Sequence, residues 1–143
     1  MQYIKKWSAV VWVLGLLFTV SCQNDEFFDP VPYVLVDIEV NLTNQQFAPL
    51  RLDKGHVDIL GGSRGIIIYR ENATTYKAFD KHSPHRSDEI CAIVDVHPSG
   101  LFMTESCDGL SFDFNGNPLD GAPYFLRQYV TRLDGNFLYI TNE

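Results

Sequence analysis

Past its first thirty or so residues, this chain runs in short apolar–polar alternations, breaks them with glycine-rich turns, and never sustains a helical period. That pattern favours strands, because side chains alternate between two faces along a strand but return every 3 or 4 positions on a helix. Residues 34–42 are the clearest case: Val36, Ile38, Val40 and Leu42 fall on one face, Asp37, Glu39 and Asn41 on the other. Residues 44–52 read as a loop entering a second extended piece, and residues 56–60 as a short strand. Gly61-Gly62-Ser63-Arg64-Gly65 reads as a turn. The unbroken run Ile66-Ile67-Ile68-Tyr69 suits a strand buried on both faces, with residues 75–79 returning as its hairpin partner. Residues 82–94 read as loop. A strand over 101–104 follows the turn at Pro98-Ser99-Gly100. Asn115-Gly116 and Asp134-Gly135-Asn136 mark hairpin turns. Many short strands with such turns predict an all-β domain, a small antiparallel sandwich or barrel.

The first residues address compartment. Lys5 and Lys6 precede an apolar run of about a dozen residues, the pattern of a secretory signal, and too short for a membrane span of roughly 20 residues. The run ends in Thr19-Val20-Ser21-Cys22, which resembles a lipobox, with Cys22 as the lipidated residue; an ordinary signal peptide cut near Ser21 is the alternative. The expected organisation is a signal peptide over 1–21, a lipidated acidic tether over 22–32, and a β domain over 33–143. Gln23-Asn24-Asp25-Glu26 resembles the export signals of Bacteroidetes surface lipoproteins. It implies an outer-membrane anchor at the cell surface, with a periplasm-facing lipoprotein as the alternative.

Removing residues 1–21 takes away two lysines and no acid, which moves the formal charge from -7 to -9. So acidic a domain repels phosphate backbones and excludes nucleic acid as a partner. With Cys22 assigned to lipid, Cys91 and Cys107 remain, and two thiols left in an exported protein most often pair.

Residues 57–141 resemble the Rieske domain, a module that carries a 2Fe–2S cluster. Tyr76-Lys77-Ala78-Phe79-Asp80 looks like the strand leading to the first cluster loop. Ser83-Pro84-His85 stands where that family has Cys-x-His. Glu105-Ser106-Cys107-Asp108-Gly109-Leu110-Ser111-Phe112-Asp113 lies over Cys-Pro-x-His-Gly-x-x-Phe-Asp. Residues 115–123 match the next turn and its Gly-Pro segment, and residues 127–140 the closing hairpin. The resemblance implies a Rieske-like fold with loops at the former cluster site. Its ligand positions hold Ser83, His85, Glu105 and Asp108, whereas a Rieske centre needs two thiolates on one iron and two imidazoles on the other. Hard oxygen donors substitute poorly for soft thiolates, and no shift of register restores the set. The resemblance therefore implies a domain without its cluster. In respiratory-chain members Cys107's position can be a cysteine bonded to one after the first loop, so the resemblance also implies a Cys91–Cys107 disulfide stapling the two loops.

Two readings of function follow. The first is a non-enzymatic binding or structural module of the cell envelope, anchored to the membrane by lipid, with no cofactor and an unidentified protein or envelope partner. The second is a redox or metal-binding protein with a modified site: either 2Fe–2S, or a divalent ion held by His85, Glu105, Asp108 and His82. Against the metal set stands the plainer expectation that His85 is a hydrogen-bonded remnant and His82 an exposed residue. His56 and His97 lack evident partners, and no nucleophile–base set with an orienting acid is apparent.

Overall fold

The computed structural model describes residues 29–121 and 124–143; the signal peptide, Cys22 and the first part of the tether lie outside the described residues. Among the described residues, nine strands form two antiparallel sheets. They are β1 (Asp37–Asn41), β2 (His56–Ile59), β3 (Ile66–Arg70), β4 (Tyr76–Asp80), β5 (Val94–Val96), β6 (Met103–Glu105), β7 (Ser111–Phe112), β8 (Gln128–Asp134) and β9 (Phe137–Thr141). The larger sheet runs β1-β9-β8-β4-β3-β2 and the smaller β5-β6-β7.

The sheets meet through β3 and β4. Ile66, Ile67 and Ile68 are all fully buried. Alternation sends Ile66 and Ile68 into the core of the large sheet, with Val36, Val40, Leu138 and Ile140. It sends Ile67 to the opposite face, where Phe79 joins Val94, Met103 and Phe112 of the small sheet. The strand is apolar throughout because it serves two cores. On β1 the expected face holds: Val36 and Val40 are buried, and Ile38 and Leu42 pack partly buried on the same cluster.

Two stretches depart from expectation. Residues 44–52 contain a 3-10 helical segment, Gln45–Arg51, which tucks Phe47 and Leu50 into the large core. These residues stand three apart, on one face of a threefold helix, and seven residues are too few to print a helical period. The chain after the 82–93 loop forms β5, which pairs with β6 in the register Val94↔Glu105 and Val96↔Met103. The predicted strand over 101–104 is accordingly shifted to Met103–Glu105. The closing hairpin pairs Asp134 with Phe137, leaving Gly135 and Asn136 as its loop. The turn after β7 is fastened by Asp113, whose Oδ1 accepts the N–H groups of Asn115 and Asn117 at 2.7 and 2.9 Å. Burial alone would raise the Asp113 pKa, but the hydrogen bonds from Asn117 and Asn115 outweigh it and hold the carboxyl below its ordinary range.

Candidate functional site

The loop from β4 to β5 and the loop from β6 to β7 come together at one end of the small sheet. Ser106 N–H bridges them by donating to the Ile93 carbonyl at 3.0 Å, while Ser83 N–H donates to the Ala92 carbonyl at 3.0 Å and closes the first loop on itself. The structure bonds Cys91 to Cys107, with Cα atoms 5.0 Å apart.

Asp80, at the end of β4, anchors the first loop from behind. It is fully buried, and a buried carboxylate is tolerable only when its oxygens are bonded. Its Oδ2 accepts the Ser63 N–H and the Tyr129 hydroxyl, both at 2.7 Å, and its Oδ1 accepts the His82 N–H at 2.8 Å. Burial, and then the bond to Asp80, push the Tyr129 pKa up, so its hydroxyl stays protonated and donates. Gly62 makes this approach possible. Its φ is +59°, and a Cβ there would lie 2.4 Å from Asp80 Oδ2. The glycine-rich turn read from the sequence is thus the cap over Asp80. Its neighbour Arg64 donates to the carbonyls of Glu89, Ala92 and Ser87 at 2.6, 3.1 and 3.3 Å, lacing the turn to the first loop.

His82 is only 3% exposed, contrary to the expectation of a surface residue. Its Nε2 lies 2.6 Å from the Ser87 carbonyl and its Nδ1 2.7 Å from Ser63 Oγ. A carbonyl only accepts, so Nε2 carries the hydrogen, and in the neutral ring Nδ1 accepts from the Ser63 hydroxyl. The ring locks turn to loop.

The ligand positions implied by the Rieske resemblance fall into two pairs. Ser83 and Glu105 are buried. Ser83 Oγ accepts the His85 N–H at 3.2 Å. Glu105 Oε1 accepts the Cys107 N–H at 2.8 Å and Oε2 the Asp108 N–H at 2.9 Å, so each carboxylate oxygen fastens its own loop. His85 and Asp108 lie outside, with Nε2 and Oδ2 2.9 Å apart. Arg86 donates to Asp108 at 3.0 Å. The bonds from His85 and then Arg86 hold the Asp108 carboxyl below its ordinary range.

Among the described residues no group of three or more His, Cys, Asp or Glu is arranged to hold a metal ion. The set His82, His85, Glu105 and Asp108 is divided: His82 and Glu105 turn inward to bonds of their own, while His85 and Asp108 pair at the surface. No buried side-chain nitrogen or oxygen among the described residues is left without a partner. A donor set of one hydroxyl, one imidazole and two carboxylates, with the buried members already bonded, does not fit a cluster that takes two thiolates and two imidazoles. The anchors Asp80, Tyr129, Ser63 and Arg64 escaped the sequence reading. Asp80 and the glycine-rich turn were visible only as the end of a strand and as a breaker.

No family model and no curated protein matches the chain. Among solved structures, the chain resembles the cyanobacterial plasma membrane Rieske protein from Synechocystis PCC 6803, with a TM-score of 0.53 and 20% identity over 76% of this chain and 99% of that one. It is also similar to the E. coli protein NirD, with a TM-score of 0.46 and 14% identity over 75% of this chain and 94% of that one. The domain has a Rieske-like fold.

Proposed function

We propose that this chain is a lipid-anchored envelope protein whose Rieske-like domain works without an iron–sulfur cluster, as a non-enzymatic binding or structural module. The observation that carries this reading is how the side chains at the ligand positions are used. Ser83 and Glu105 stand where thiolates would be needed, and their oxygens are taken up by backbone N–H groups of the same loops. The interactions that a cluster would supply to these loops are supplied by the chain: a disulfide, a carboxylate cap, and a surface His85–Asp108–Arg86 group. Folds of this kind carry function in sites placed upon them, so a shared fold brings no electron transfer with it. Lipid on Cys22 would hold the domain at the outer membrane, and the acidic Asp25-Glu26 pair beside it favours the outer face.

The test is iron and acid-labile sulfide analysis of the purified full chain, with its visible absorption spectrum. A colourless protein without stoichiometric iron or sulfide is the expected result. A Rieske-type chromophore, or one equivalent of a divalent ion lost on His85→Ala, would replace this reading with the redox or metal-binding one.

A further inference from the structure

The two outer strands of the large sheet, β1 and β2, face one another across an open cleft of about 450 Å³. Its walls are Ile38 and Val40 on one side and Val57 and Ile59 on the other, with Phe47 of the 3-10 segment below. At one end the strands approach through side chains alone: a Cβ on Gly61, just past β2, would lie 2.7 Å from Ile38 Cδ1.

The bonding alternation shows which backbone groups face the cleft. Arg70 N–H donates to the Gly55 carbonyl at 2.9 Å. In an antiparallel ladder the inward-bonded residues then recur every second position. Val57 and Ile59 therefore spend their backbone groups on β3, while His56 and Asp58 present theirs to the cleft. On β1, Leu42 N–H donates to the Asn136 carbonyl at 2.9 Å, so Glu39 is the residue whose backbone faces outward. The β1 edge is partly spent, since the Asn41 carbonyl accepts the Asn44 N–H. The β2 edge is open, and Leu60 at its end is 95% exposed.

Exposed edges recruit strands, and charges on them choose which. Glu39 and Asp58 are the acidic groups at this cleft. The Glu39 carboxylate helps to push the Tyr139 pKa up, and Asp58 pairs with Lys81, which Asp95 also holds. A second copy pairing here would set Glu39 or Asp58 against another acidic edge, on a chain already carrying -7. Like charges directly opposite destabilise a strand pair.

We propose that this cleft takes an extended segment of a partner protein as an added strand on β2, with apolar side chains on its inner face and lysine or arginine on its outer face. The inner residues would cover Ile38, Val57 and Phe47, and the outer ones would meet Glu39 and Asp58. Backbone bonds to an edge supply affinity, and alternate side-chain positions supply specificity. The proposal deepens the binding-module reading but uses the face formed by the β1 and β2 edges, not the paired loops.

The experiment is a fluorescence-anisotropy titration of the full chain with a labelled peptide of alternating valine and lysine. Saturable binding is expected, at least tenfold weaker for an alternating valine–glutamate peptide and for a valine–lysine peptide N-methylated along one backbone edge. Hydrogen exchange of the His56 and Asp58 amides should slow on binding. Asp58→Pro, which removes an outward-facing N–H and leaves the β3 bonds intact, should weaken binding at least tenfold, and Glu39→Gln by about threefold. Should Asp58→Pro fail to fold, the N-methylated peptide still tests the edge. No binding, equal binding of the glutamate peptide, or slowed amides only outside β2 would overturn the proposal. So would a concentration-dependent dimer that protects the same amides without peptide. A colourless, iron-free protein that ignores the peptide loses this inference alone; a cluster-bearing protein that binds it loses only the earlier reading.

Discussion

A carboxylate in a dry interior is costly until its oxygens are bonded, and Asp80 and Glu105 show two ways of meeting that cost. Asp80 gathers donors from three separate segments, Ser63, His82 and Tyr129, and so ties distant parts of the chain to one point. Glu105 bonds two N–H groups that follow it in sequence, so its effect is local. Glu105→Ala would leave two part-buried N–H groups without their acceptor, at up to about 1–3 kcal/mol for each group. We expect a loss of roughly 2–4 kcal/mol in urea unfolding, seen as a lower midpoint with an unchanged slope. Glu105→Gln keeps one acceptor and should lose less. A loss below about 0.5 kcal/mol, the low end for a single hydrogen bond, would show that solvent already serves these donors.

The elements differ in how plainly they are written. β3 was legible because Ile66-Ile67-Ile68-Tyr69 has no polar face to give to water, and the closing hairpin because Gly135 takes the left-handed backbone its turn needs, at φ 57°. β5 was hidden. Its three residues, Val94, Asp95 and Val96, take their strand character from pairing with Met103–Glu105, a partner distant in sequence. The 3-10 segment was hidden for the opposite reason, being local but too short for periodicity. At the site, the positions Ser83, His85, Glu105 and Asp108 were legible from the motif, but not where each points. That direction depends on hydrogen bonds to backbone that no pattern of residue types records. The bond between the two loops can be tested at this level. The disulfide joins residues 16 apart, and closing a loop of about 15 residues removes unfolded-state entropy worth about 3 kcal/mol in the chain-entropy account. Reduction, or the double change Cys91→Ala and Cys107→Ala, should lower the melting temperature by roughly ten degrees or more. The mass of the unreduced chain should fall short of the reduced one by two hydrogens. Unchanged melting would mean that the backbone bond from Ser106 to Ile93 holds the loops together unaided.

At the scale of the whole molecule, the lipid-anchored reading proposed above has to place so acidic a domain at a membrane. Its charge opposes adsorption to anionic lipid, so in the proposed reading attachment would rest on lipid at Cys22. The segment after it is fastened early. Arg127 bonds the Asp29 carboxylate at 2.8 Å and the carbonyls of Pro32 and Val31, both at 2.5 Å, and Val31 is buried. Asp29–Arg127 is a pair with little exposure on the arginine side, 14%. Only residues 22–28 would then separate a lipid on Cys22 from the first fastened residue, and seven residues span at most about 25 Å. The domain would therefore stand close over the bilayer, within reach of envelope proteins rather than far into the medium. A single acyl chain binds a membrane only marginally, whereas a diacylglycerol on cysteine supplies the paired chains that stable anchoring requires. Wild-type protein fed a clickable fatty-acid analogue should carry the label and sediment with membranes. Cys22→Ser should lose the label and either accumulate as precursor or leave the membrane. Equal labelling of the two proteins would remove Cys22 as the anchor. An unlabelled Cys22→Ser that still sediments with washed membranes would transfer the anchoring role to a protein partner.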